Sequence, residues 1–202
     1  MEIHNSSIKS FEVRAGFSVL KFRSDPVATP YHIAFHIGAH QEKKALQWLK
    51  DRVEILKNEE EEIIDFSSWN AKSIYFHDPD KNVIEFISRG HLYQSKLEKF
   101  SQENIVGISE IGLATDDVLQ NYTYLNQQLS LTKFTGDYHT FCATGDDEGL
   151  FIIVDYMKKT WFPADDQAFP SPFSIRLSGK HGRSSLVYEE GVLRRPDGIN
   201  EK

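Results

Sequence analysis

Residues 73–88 read SIYFHDPDKNVIEFIS, two apolar-rich runs around His77-Asp78-Pro79-Asp80-Lys81-Asn82. Proline presets a turn dihedral, and aspartate and asparagine tolerate the tight backbone beside it. The spacing predicts a β-hairpin. Side chains alternate along a strand, so Val83, Glu85 and Ile87 share one face of its second strand, and Ile84 and Phe86 the other. Glu85 is therefore a carboxylate flanked by apolar residues. An unpaired buried carboxylate is costly, so Glu85 is expected to hold a cation, pair with a basic group or sit at a solvated edge.

Upstream, Leu46, Leu49, Val53 and Leu56 recur at three- and four-residue spacing, which predicts an amphipathic helix ending before the acidic run NEEEE at 58–62. That run reads as a solvated loop without function. Before the helix, YHIAFHI at 31–37 alternates as a strand, with Tyr31, Ile33, Phe35 and Ile37 on one face and His32, Ala34 and His36 on the other. One face packs and the other lines something polar. Earlier still, FEVRAGFSVLKF at 11–22 predicts two strands around Arg14-Ala15-Gly16.

Downstream, residues 91–104 read as a polar connector, after which ISEIGLATDDVLQNYTYLNQQL restarts the plan of strand, break and helix. Thr115 is the expected N-cap, Asp116 and Asp117 fall in the first turn, and Val118, Tyr122, Leu125 and Leu129 form the buried stripe. Aligning the two copies sets Glu110 at the place of His32, so a polar residue recurs there. HTFCA at 139–143, GLFIIVD at 149–155 and PFSIRLS at 172–178 predict three more strands. From Gly179 the chain reads as a loose polar tail, in which SLVYEE at 185–190 is at most an edge strand.

The 202 residues are enough for one domain or two small ones around a core, and an apolar fraction of 40% with 26% charged residues is that of a globular protein. A formal net charge of -7 argues against a nucleic-acid partner, because neutralising phosphates takes a clustered basic surface. The single cysteine, Cys142, and the lack of a leader pattern at the start point to the cytoplasm. No apolar stretch approaches the roughly 20 residues needed to span a bilayer, so no membrane partner is expected.

The strand at 31–37, the helix and then YFHDPDKNVIEF resemble the βαβββ module of the vicinal oxygen chelate superfamily, the glyoxalase, bleomycin-resistance and extradiol-dioxygenase group. The last stretch is similar to its aromatic-x-x-DPxGN-x-x-E pattern, and the likeness covers about residues 11–178. It implies an α+β fold of tandem βαβββ modules, with curved antiparallel sheets around a cup and helices outside. The expected divisions are a partial N-terminal module at 1–30, a module with connector at 31–100, a second module at 101–178 and a polar tail at 179–202.

By the same resemblance the metal ligands fall on His32, Glu85 and Glu110, the two glutamates carry the catalytic role, and the cofactor is a divalent zinc, manganese, iron or nickel ion. His36 is a competing ligand or its neighbour, and Trp69, Asn70, Tyr138, Phe141 and Trp161 are further candidates to line a small-molecule site. Each has an ordinary alternative: a strand histidine hydrogen-bonded in place, a glutamate at a strand edge, an aromatic in the core.

Two departures stand out. Lys81 occupies the turn position where the family has glycine, and the family's opening strand and helix ahead of residue 11 have no counterpart. The incomplete module leaves a strand edge for a second subunit to cover, hence an expected homodimer. The last strand offers Phe173 and Ser174 where a fourth ligand is expected. Three functions stay open: a metal-dependent lyase, isomerase or dioxygenase on a small vicinal-oxygen compound, a metal-free binder of a planar molecule, and a dimeric module with a vestigial site.

Overall fold

A computed structural model describes residues 2–4, 6–95, 98–179 and 182–196. The chain forms two compact units, Met1–Ile111 with Trp161–Asp166, and Gly112–Thr160 with Gln167–Lys202.

In the first unit, β1 (Glu2–His4), β2 (Ser10–Ala15) and β3 (Ser18–Arg23) make an antiparallel sheet in that order. The hairpin expected at 11–22 is its second half. Its turn needs Gly16, which has φ +57° and lies where a β-carbon would stand 1.8 Å from the carbonyl oxygen of Val106.

The larger sheet is built from β4 (His32–Ile37), β5 (Ile55–Leu56), β6 (Ile64–Phe66), β7 (Ala71–His77), β8 (Val83–Arg89) and β9 (Ile105–Thr115, belonging here through Ile111). Its order is β9-β4-β8-β7-β5, with β6 also on β7. The predicted hairpin is β7 with β8, His77 pairing Val83 and Tyr75 pairing Glu85. β4 and β8 run parallel, so the sheet is mixed rather than wholly antiparallel. Helix α1 (Glu42–Lys50) lies in the crossover that a parallel neighbour requires.

The helix is shorter than its sequence stripe. Asp51 caps it, and Leu56 pairs with Tyr75 in β5, so extended pairing to β7 takes residues that periodicity assigns to the helix. Ala45 and Leu49 of α1 pack on Ile33, Phe35 and Ile37 of β4, Ile74 and Phe76 of β7 and Ile84 and Phe86 of β8. Phe76 meets Phe86 edge to face at 5.2 Å. This is the apolar face read from the sequence. Ala34, Ala71 and Ile87 form a smaller cluster with Phe66 and Trp69.

The turn after β7 is tied by its own polar groups. Asp78 Oδ1 accepts from the backbone N–H of Asp80 at 3.0 Å and of Asn82 at 2.9 Å, and Asn82 Nδ2 donates to Asp78 Oδ2 at 2.7 Å. Asn82 Oδ1 also accepts from Tyr31 N at 2.7 Å, fixing the approach of β4 to β8. Lys81 is left-handed, φ +66°.

The second unit holds helix α2 (Val118–Leu129) and two antiparallel sheets. One runs β10 (Lys133–Gly136), β11 (Phe141–Asp146), β12 (Gly149–Asp155); the other β13 (Phe173–Gly179), β14 (Gly182–Glu189), β15 (Val192–Arg194). The strand-helix restart and the three downstream strands are thus present, with two corrections. The N-cap is Asp117, whose side chain accepts from Gln120 N at 2.9 Å, so neither aspartate lies in the first turn. Thr115 instead donates to Gly191 O at 3.0 Å and accepts from Asn121 Nδ2 at 3.0 Å. Asn121 joins Val118 and Leu125 as the buried residues of α2, while Tyr122 and Leu129 stay partly exposed.

The second correction concerns the tail. Residues 182–194 make β14 and β15 with Leu186, Tyr188 and Leu193 buried, because their apolar side chains alternate inward beneath a polar outer row. Residues 180, 181 and 197–202 of that tail, and 96 and 97 of the expected connector, lie outside the described residues. No helix among the described residues is long and apolar enough to cross a membrane.

Candidate metal centre

The ladder sets the site. On β4, Ala34 pairs with Glu85 of β8 on one side and with Glu110 of β9 on the other. Adjacent strands lie about 4.8 Å apart, so two long carboxylates flank a single methyl group and reach over it. His32 is two residues from Ala34 and shares its face. One ligand atom from each of His32, Glu85 and Glu110 lies within 4.8 Å of the others, and the three residues are 5%, 2% and 3% exposed.

A bulge on β9 lets Glu110 face the site while isoleucines on both sides of it face the core. β9 advances from Glu110, opposite Ala34, to Ile108, opposite Phe35, leaving Ser109 as the extra residue. Ile108 and Ile111 therefore both pack on the apolar core while Glu110 faces away from it. Strict alternation cannot produce that arrangement.

His32 is held in one tautomer. Its Nδ1 is 3.2 Å from the carbonyl oxygen of Val83, which only accepts, so Nδ1 carries the proton and Nε2 keeps its lone pair. That Nε2 lies 3.5 Å from Glu85 Oε2. Two acceptors face each other, which requires a proton or a cation between them. Burial drives the His32 pKa down to about 4, with the Val83 bond acting against it.

The carboxylates are displaced the other way. Burial raises Glu85 to about 7, opposed by the hydroxyls of Ser73 and Tyr75 nearby and by the charge of Arg89. Glu110 is raised by burial and then by Glu85, again against Arg89. Arg89 is fully buried, with a guanidinium nitrogen 3.0 Å from Glu110 Oε1 and its carbon 5.7 Å from the centre of the Trp69 ring. The site thus sets two carboxylates against one guanidinium in a dry environment, a donor set that fits a hard or borderline divalent cation.

Over His32 lies Trp161, its ring 5.0 Å away and tilted by 37°. Its segment, Trp161–Asp166, closes on itself through Trp161 N donating to Asp166 O at 2.7 Å. Asp166 Oδ2 is 2.9 Å from His77 Nε2, and Phe162 packs edge to face on Tyr75 at 5.5 Å.

The other candidates are placed as follows. Trp69 borders the site through Arg89 and packs on Phe66. His36 is buried against Tyr93, ring to ring 5.0 Å, and is not one of the three clustered side chains that could hold an ion. Asn70 is exposed and left-handed, φ +48°, with Nδ2 2.9 Å from His91 Nδ1. Tyr138 and Phe141 belong to the second unit, where Tyr138 packs on Tyr122 at 4.7 Å and Lys159 lies over Phe141 at 5.4 Å. Phe173 and Ser174 are also there, and no fourth ligand joins the cluster among the described residues.

Three contributors escape the sequence reading: Tyr75, Arg89 and Ala34. Counting back from the turn pairs Tyr75 with Glu85, and counting every second residue from Val83 reaches Arg89. Ala34 carries a weaker signal, a small residue between two histidines on the polar face.

No family model matches the chain, and no curated protein matches it. Solved structures do. A Bacillus subtilis protein with a provisional dioxygenase assignment matches at TM-score 0.55 and 10% identity over 92% of this chain and 71% of its own. Glyoxalase I from Zea mays matches at TM-score 0.44 and 14% identity over 72% of this chain, which spans 53% of that protein. Glyoxalase I from Leishmania major matches at TM-score 0.24 and 11% identity, over 61% and 84%. The chain shares its fold with the Bacillus subtilis protein, an α+β fold of the kind that the 73–88 hairpin leads one to expect.

Proposed function

We propose that this protein is a metal-dependent enzyme of the glyoxalase or dioxygenase type, with His32, Glu85 and Glu110 as ligands to one zinc, manganese, iron or nickel ion and a small vicinal-oxygen compound as substrate. The observation that carries the reading is the lone pair of His32 Nε2 facing a carboxylate oxygen of Glu85 at 3.5 Å inside a buried site. These three residues would hold a divalent ion, which would supply Lewis acidity toward two adjacent substrate oxygens.

Charge sets the form of the substrate. Glu85, Glu110 and Arg89 sum to one negative charge, which a proton on Glu85 cancels. With a divalent ion in place and that proton gone, the site carries one positive charge, which matches a substrate that becomes a monoanion. Glu85 is the group that gives up a proton when the ion enters, since burial holds its pKa at about 7 in the metal-free site. Arg89 holds Glu110 in place, and Trp69 and Trp161 supply aromatic walls.

A metal-free binding protein is the second reading, favoured by the ion pair that Arg89 already makes with Glu110. Calorimetric titration with the four metals separates them. Wild type is expected to bind one ion per chain, and Glu85→Gln to lose at least about a hundredfold in affinity. The apo variant is expected to melt no lower than wild type at pH 8, because a buried charge is relieved. A wild type that binds none of the four tighter than millimolar, or a Gln variant that binds equally well, leaves the binding reading in its place.

A further inference from the structure

A polar hydrogen near the site has nothing to bond. The indole N–H of Trp161 is buried and finds no acceptor among the described residues. Leaving such a donor unmet is costly, and buried donors in folded proteins are satisfied nine times in ten or more. Gln41, Ser73 and Ser109 carry further exceptions among the described residues, but Trp161 is the indole whose ring lies 5.0 Å from the imidazole of His32.

The position is built rather than incidental. Trp161 is 5% exposed, its backbone N–H is bonded to Asp166 O, and Asp166 is anchored to His77 on β7, the same strand that presents Tyr75 to Glu85. The neighbouring Phe162 packs on Tyr75 and on Phe66. A six-residue strap therefore holds the indole over one edge of the ligand triad from two sides.

We infer that Trp161 is a positioning and specificity residue whose indole N–H donates a hydrogen bond to the anionic oxygen of a small chelating ligand seated at His32, Glu85 and Glu110. The inference rests on the metal reading above and deepens it, since it names the ligand class: a compact monoanion offering two adjacent oxygens, one of them to the indole. A neutral chelate gains less from the donor, because hydrogen bonds to charged acceptors are about twice as strong as neutral ones. Phenylalanine preserves the ring that packs on His32 and removes only the donor, so Trp161→Phe isolates the hydrogen bond.

The probe is acetohydroxamate, a monoanionic oxygen chelator, titrated by calorimetry into wild type and Trp161→Phe, each loaded with zinc, or with whichever of manganese, iron and nickel binds when zinc does not. The variant is expected to take up metal with unchanged stoichiometry and affinity and to bind acetohydroxamate about tenfold more weakly, the loss of one charge-assisted hydrogen bond. Equal acetohydroxamate affinity in two metal-loaded proteins overturns the role of Trp161 and leaves the metal reading intact. A wild type that takes up none of the four metals overturns both. Should Trp161→Phe fail to fold, the wild-type complex crystallised with metal and acetohydroxamate decides. An indole nitrogen within 3.2 Å of a ligand oxygen is the expected result, and one beyond 3.5 Å contradicts the proposal.

Discussion

In the proposed metal site, Glu85 carries most of the chemistry in a single side chain. Its carboxyl is raised to about 7 because burial penalises the charge more than Ser73, Tyr75 and Arg89 stabilise it, while burial keeps His32 neutral down to about 4. Metal binding needs the carboxylates ionised and the imidazole neutral. Affinity is therefore expected to rise with pH until Glu85 is deprotonated near 7, and to fall by about tenfold or more per unit below that, with His32 adding a further loss only near 4. Titrations at pH 5.5, 6.5 and 8 check this, and an affinity flat across that range contradicts the assignment of Glu85. Stability moves differently. Between pH 4.5 and 6.5 the folded apo protein holds a proton on Glu85 that the unfolded chain releases, which stabilises it, and lacks one on His32 that the unfolded chain binds, which destabilises it. The two contributions run in opposite directions with pH: that of Glu85, full below 4.5, is lost as pH rises through about 7, while that of His32, full above 6.5, is lost as pH falls through about 4. That Glu85 needed a partner was legible from its apolar flanks. Which partner it has was not, because Arg89 and Tyr75 become neighbours only when the hairpin register is counted through.

Among the elements, the β7–β8 hairpin was the most legible, since its turn residues satisfy one another within six positions. Lys81 departs from glycine at a left-handed φ of +66°, which costs an L-residue about 1–2 kcal/mol. Lys81→Gly is expected to stabilise the protein by about 1 kcal/mol once the entropy of the unfolded glycine is deducted, raising Tm by roughly 2–4 °C. A lower Tm in a thermal melt contradicts the strain. Elements defined by distant contacts were read less well. The bulge at Ser109 depends on pairing with β4, and helix α1 stops where β7 offers Leu56 a partner. Thr115 resembles a cap locally, yet Gly191 and Asn121 engage its hydroxyl from 76 and 6 residues away. Local propensity carries no information on such partners.

At the scale of the whole molecule, the α+β class and the restart of strand and helix at Ile108 were legible because hydrophobic period survives in both copies. The strands of the tail were not, because β14 buries only part of one face and its polar residues mask the alternation. A homodimer is the assembly proposed here, supported by Phe11, Phe17 and Val19 standing 40%, 60% and 51% exposed on the β2–β3 hairpin. Sedimentation velocity at micromolar concentration is expected to give twice the chain mass of 23.3 kDa, and a monomer there contradicts it. Neither the assembly nor the strap at Trp161 matters to catalysis unless the triad holds an ion. Anomalous diffraction from a crystal soaked in zinc, manganese, iron or nickel tests that most directly. The account predicts one anomalous peak per chain bonded to His32 Nε2 and to a carboxylate oxygen of both Glu85 and Glu110, whereas no peak at the triad with any of the four ions, or peaks only at surface residues, would contradict it.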